Sequence, residues 1–157
     1  MAVVRAEHIF CFRLVTRLAP VDVQMVLDLA VGGVTGCTIV AEIDDDVAEA
    51  RVQGDENRLV QALCALLTHA RSRDEAPPGV HAMRRGGHVV IEIADRGPSP
   101  DDAAALLTAP LPEPFDLGLG LRLIVAAAIV RAHGGRLDAH ALAPGLAWRM
   151  ELPLLAD

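Results

Sequence analysis

Tyrosine is absent from this chain of 157 residues, tryptophan occurs once and phenylalanine three times. Aromatics make up 3% while apolar residues make up 52%, so the core has to be built from Leu, Val, Ile and Ala. Cysteine is scarce as well. Cys11, Cys37 and Cys64 lie far apart with no CxxC spacing, which argues against a disulfide framework and a thiolate zinc site and leaves buried, reduced thiols as the expectation. Positive charge is thin: the net charge is -7 and the basic residues are scattered arginines. The clustered cationic footprint of a nucleic-acid-binding domain is missing. Long apolar runs are missing too. A membrane span needs roughly 18 such residues, and Leu121–Ala132, the most apolar stretch, is broken by Arg122 and Arg131. The N-terminal "IFCF" has neither an adequate hydrophobic region nor a small-residue cleavage site after it. The expectation is a cytoplasmic chain with no nucleic-acid partner and no membrane contact.

The length suits one domain with one core, able to fold without a disulfide or a metal. Residues 9–18 read as a strand ended by Pro20. "VDVQMVLDLAV" has helical spacing, with Val23, Val26, Leu27 and Ala30 on one side, and "VGGVTG" breaks it. "CTIVAEI" and "EARVQ" read as two strands joined through "DDDVA" as a hairpin. "GDENRLVQALCALLTHARSRD" is the clearest helix: Asp55 is its N-cap, and Leu59, Leu63, Leu66, Leu67 and Ala70 form one apolar stripe. "GVHAMRRGGHVVIEIAD" reads as a hairpin around Arg84–Gly87, followed by the turn "RGPSP", a short helix around "DDAAALL" and an irregular, Pro-rich "TAPLPEPFDLG". A helix over 119–133 and two strands around Pro144–Gly145 complete the chain. Helices on one face of a mainly antiparallel sheet make this an α+β fold.

Three segments carry chemistry. Asp95 ends a strand and precedes Gly97, so its carboxylate either accepts a hydrogen bond from a ligand in a cleft or only caps the turn "DRGPS". Gly118 and Gly120 stand at a helix start, where free N–H groups attract anions and glycine lets a phosphate approach; an ordinary glycine-rich helix start is the alternative. Gly134–Gly135 reads as a left-handed helix cap. His69 and Arg58 share a flank of the long helix with Ala65, beside the apolar stripe, facing the same cleft. His81, His88, His133 and His140 show no metal-ligand spacing with each other or with a cysteine, and His8 in "AEHIFCF" reads as an ordinary histidine.

In order and spacing these segments resemble the ATP-binding catalytic domain of sensor histidine kinases, in the GHKL or HATPase superfamily, over roughly residues 18–154. "GDENRLVQALCALLTHA" is similar to its N-box, "IEIADRGPS" to its first glycine box, and "GLGLRLIVAAAIVRAHGGRL" to its second glycine box and following helix. The resemblance implies a two-layer α/β sandwich of the Bergerat type, with about three helices on one face of a mixed, mainly antiparallel sheet. It implies ATP and Mg²⁺ as cofactors, and Asp95, Gly97, Gly118, Gly120, Arg122, His69 and Arg58 as nucleotide-binding positions, His69 also being the Mg²⁺ position.

The chain departs from the family pattern at several of these places. The magnesium-binding Asn is His69, a polar residue one turn earlier is Ala65, the second glycine of the first box is Ser99, and a third glycine of the second box is Arg122. Imidazole suits zinc, copper or nickel better than magnesium, which prefers oxygen. Three roles are open to His69: helping to hold a metal–nucleotide complex, bonding a phosphate when protonated, or filling a cleft that no longer binds nucleotide. The segment "LLTAPLPEPFDLG" corresponds to the family's mobile lid in a stiffer, Pro-rich form.

Only about twenty residues precede the first helix, too few for the two long helices of a dimerisation domain. The chain is therefore expected to be one catalytic domain over 1–157, excised or standing alone, with 1–17 an extra strand or linker. Three functions follow from the resemblance. One is phosphotransfer from ATP to a His on a partner dimerisation domain. A second is a non-catalytic pseudokinase module that docks a kinase or response regulator. The third is a serine kinase of the anti-sigma-factor type.

Overall fold

The computed structural model describes residues 17–108 and 119–156. Strand β1 (Ala19–Asp22) leads directly into helix α1 (Val23–Gly32). Asp22 caps that helix by accepting the Met25 N–H at 3.1 Å, and its buried residues are the expected Val23, Val26, Leu27 and Ala30. Then come β2 (Ala41–Ile43), β3 (Arg51–Gly54), α2 (Glu56–Arg73), β4 (Gly79–Arg85) and β5 (His88–Asp95). A 3₁₀ turn at Ala104–Leu107, helix α3 (Leu119–Ala132), β6 (Arg136–Leu142) and β7 (Gly145–Pro153) complete the order.

Five strands form one sheet in the order β2-β4-β5-β7-β6, in which only the β2–β4 pair is parallel. The three helices lie over one face of it, with α2 central and in contact with α1 and α3. Alternation along the strands sorts the two faces. Val80, Ala82, Val89, Ile91, Ile93, Leu146, Trp148 and Met150 point into the core beneath the helices. Glu92, Arg149 and Asp138 sit in register across the other face. The α+β two-layer sandwich is therefore as expected.

Two expectations fail. "CTIVAEI" and "EARVQ" do not form a hairpin: β2 pairs in parallel with β4, and β3 pairs antiparallel with β1 in a separate two-stranded sheet. The reason is local. After β2 the chain closes a short turn at Asp44–Val47, where Val47 N–H reaches Asp44 O at 2.9 Å and the fully buried Val47 side chain draws the segment toward the core. Pro20 likewise does not end a strand, since it lies within β1, whose partner is the edge segment β3. The strand expected over 9–18 lies outside the described residues up to residue 16, and Arg17 and Leu18 are not in a strand.

The closing elements match. Gly134, at φ +74°, ends α3 in the left-handed region, and Gly135 N–H bonds back to Val130 O at 2.9 Å. A Cβ on Gly135 would run into the Glu151 carbonyl of β7, so only glycine lets the turn lie against the sheet.

Candidate functional site

Helix α2 starts where expected. The Asp55 side chain accepts Arg58 N–H at 3.3 Å, and Asp55 N–H donates to His133 Nε2 at 3.0 Å. The stripe Leu59, Leu63, Leu66, Leu67 and Ala70 is buried, and this fixes which flank of the helix meets β5. At the far end of α2, Arg73 reaches the end of β5.

Asp95 continues the inward-facing row of Ile91 and Ile93, so its carboxylate points under the helix layer and is fully shielded from solvent. Both oxygens are engaged: Gly97 N–H donates to Oδ1 at 2.9 Å and Arg73 Nε donates to Oδ2 at 2.9 Å. A second Arg73 nitrogen donates to Pro98 O. Gly97 is where the loop crosses the helix end, and a Cβ there would run into the Arg73 carbonyl. Ser99, at the second glycine position of the motif, donates to Leu142 O in β6 and accepts Gly145 N–H at 3.3 Å. The loop after β5 is thus fastened on both sides.

His69 lies one turn before Arg73, buried at 6% exposure. Its ring meets Trp148 of β7 edge-on, with centroids 5.7 Å apart and planes at 76°. Burial lowers its pKa to about 4; the Arg73 charge adds to that and the Asp95 charge opposes it. The ring is therefore neutral near neutrality, and protonated phosphate binding by His69 does not fit. Its Nδ1 is buried without a hydrogen-bond partner, as is Trp148 Nε1.

The shared flank of Arg58, Ala65 and His69 is divided. Ala65 lines a groove of about 360 Å³ between α2 and α3, with Gln61, Thr68, Arg122 and Val125. Arg58 turns along the helix to Gln61 Oε1 at 2.9 Å. His69 turns to the sheet, because four residues advance a helix about 40° past a full turn. Neither His69 nor Asp95 lines the groove, so the gap between the long helices and the Asp95 corner are separate places. Gly120 lies in the first turn of α3 and Arg122 is exposed one residue pair further on. Gly118 and the lid segment from residue 109 lie outside the described residues.

Magnesium does not fit the residues at its expected position. His69 offers ring nitrogen rather than oxygen, and its ring packs against Trp148. Among the described residues, the one group of three or more His, Cys, Asp or Glu side chains with ligand atoms within 4.8 Å of one another is Glu42, Asp44 and His81, on the opposite face of the sheet. There His81 Nε2 meets Asp44 Oδ1 at 2.8 Å. Adenine meets an obstacle of another kind, an acceptor carboxylate already bonded twice. Arg73 and Trp148 escaped the sequence reading. Arg73 carried an available signal, since it stands four residues after His69 on the same helix.

No protein-family model matches the chain, and no curated protein does. Solved structures do match. The mycobacterial sensor histidine kinase MprB superposes with a TM-score of 0.73 at 25% identity, over 90% of this chain and 100% of that one. ShkA, solved full-length in complex with AMPPNP, gives 0.76 at 25% identity over 96% of this chain, which spans 35% of ShkA. The catalytic domain of histidine kinase ThkA gives 0.66 at 17% identity, over 88% of this chain and 96% of that one. No described helix is long and apolar enough to cross a membrane. The chain therefore has the HATPase or GHKL-like fold seen in histidine kinase catalytic domains.

Proposed function

We propose that the chain is a degenerate histidine kinase domain of two-component signalling. In this reading it has lost magnesium-dependent phosphotransfer and acts in the cytoplasm by docking a kinase phosphoacceptor domain or a response regulator. The observation that carries the reading is His69. At the helix position where an oxygen ligand for Mg²⁺ is needed, a neutral imidazole packs against Trp148. Without that ion the developing charge on a transferring phosphoryl group loses stabilisation worth several kcal/mol. The fold can still present its surface to a partner, since docking needs no metal.

A second reading, retained ATP binding with weak transfer to a partner His, is favoured by the α2–α3 groove with Arg122 at its edge beside the start of α3. Calorimetry with ATP, with and without Mg²⁺, separates the two. The proposal expects no magnesium-dependent heat. Binding that strengthens when Mg²⁺ is added, together with label moving from γ-³²P-ATP to a phosphoacceptor domain, would establish the second reading instead.

A further inference from the structure

The end of α2 is held over Asp95 by one side chain. Arg73 bonds Oδ2 of the carboxylate at 2.9 Å and also the Pro98 carbonyl, so it spans the loop that follows β5. Its side chain is 17% exposed while that of Asp95 is fully covered. Gly97 N–H takes the other oxygen at 2.9 Å. The carboxylate therefore faces the protein's own cation on the side where α2 meets the loop.

We propose that Arg73 is a latch that sets what the Asp95 corner accepts. With the guanidinium seated, Asp95 is closed to ligands. With it displaced, Asp95 is an inward-facing acceptor able to take the exocyclic amino group of an adenine base. The inference rests on reading Asp95 as the base-recognising position. The guanidinium brings a full positive charge to the carboxylate, whereas an adenine amino group is a neutral donor to the same anion. An adenine amino group brings no charge to replace it, and Arg73 and the Gly97 N–H already occupy both carboxylate oxygens. The same carboxylate, once bare, discriminates between bases. An unpaired buried acceptor favours an amino donor and repels the carbonyl that guanine presents there. Arg73 is thus a positioning residue that acts through Asp95.

The test is calorimetric titration of the full chain with ADP and with GDP in EDTA, so that no metal enters. Arg73→Ala is expected to bind ADP at least tenfold more tightly than the wild type, with no such gain for GDP. The double variant Arg73→Ala/Asp95→Asn is expected to lose the gain. A purely structural ion pair would move the melting temperature and leave the ADP-to-GDP ratio where it was. If Arg73→Ala does not fold, Arg73→Gln decides the matter: it keeps a neutral donor beside Asp95, and a gain of about threefold for ADP alone is expected. A folded variant that binds ADP no better than the wild type, or that gains equally for both nucleotides, overturns the latch. That outcome leaves the loss of magnesium-dependent transfer standing. Magnesium-dependent transfer by the wild type overturns the functional reading while the Arg73 comparison, made without metal, still stands or falls by itself.

Discussion

Protonating His69 means charging a ring that burial keeps neutral. Its pKa falls from 6.5 in an exposed chain to about 4 in the fold. Above pH 6.5 both states are neutral and the residue adds no pH dependence. As pH falls below 6.5 the unfolded chain takes up a proton that the folded chain refuses, so stability declines. The decline amounts to about 3 kcal/mol by pH 4 and then levels off. His69→Asn is expected to remove that slope. Urea midpoints followed from pH 6.5 down to pH 4 check it, and an equally steep decline in the variant would show that another group titrates. At the same scale, the loss of Arg73 leaves the shielded Asp95 carboxylate without its cation, at a cost of about 3–5 kcal/mol. Adding Asp95→Asn is expected to recover much of that in a thermal melt, because the remaining group is no longer charged.

The elements are tied together by a few polar contacts as well as by the apolar core. His133, at the end of α3, bonds Ile129 O through Nδ1 at 2.7 Å and accepts the Asp55 N–H through Nε2 at 3.0 Å. A proton on Nδ1 and none on Nε2 satisfies both, and the ring joins the end of one helix to the start of another. Gly54 leaves room for it: a Cβ there would lie 2.7 Å from His133 Cδ2. Gly54→Ala is expected to cost about 1–3 kcal/mol through overpacking, and His133→Ala about 1–3 kcal/mol through the lost acceptor. The two are not expected to add, since the smaller side chain at 133 makes room for the methyl group. Denaturant unfolding of both single variants and the double variant checks this, and strict additivity would mean that the two positions do not share that space. What the sequence disclosed at this scale follows the same division. Asp55, the stripe on α2, the β4–β5 and β6–β7 hairpins and the Gly134 cap were legible because each is specified by residues near in sequence. The partners of β2 and β3 were not, because two short strands beside a turn look like a hairpin whatever they pair with. Arg73 is not legible for a related reason: the motif stops at His69, and only the folded sheet brings the end of β5 beneath the next turn.

In the whole molecule the sheet and the helix layer meet at a joint made of His69 on α2 and Trp148 on β7. Trp148 is the chain's single tryptophan and is fully buried. Its indole therefore serves as a built-in optical probe of the candidate site, with no label required. Because an imidazolium quenches a neighbouring indole, emission from the native protein is expected to fall as pH approaches 4, and His69→Asn should abolish that dimming. Steady emission across the same range in the wild type would mean that the two rings do not touch in solution. A chain with so little aromatic content thus carries its only strong fluorophore at the one place where a ligand's arrival would be worth watching.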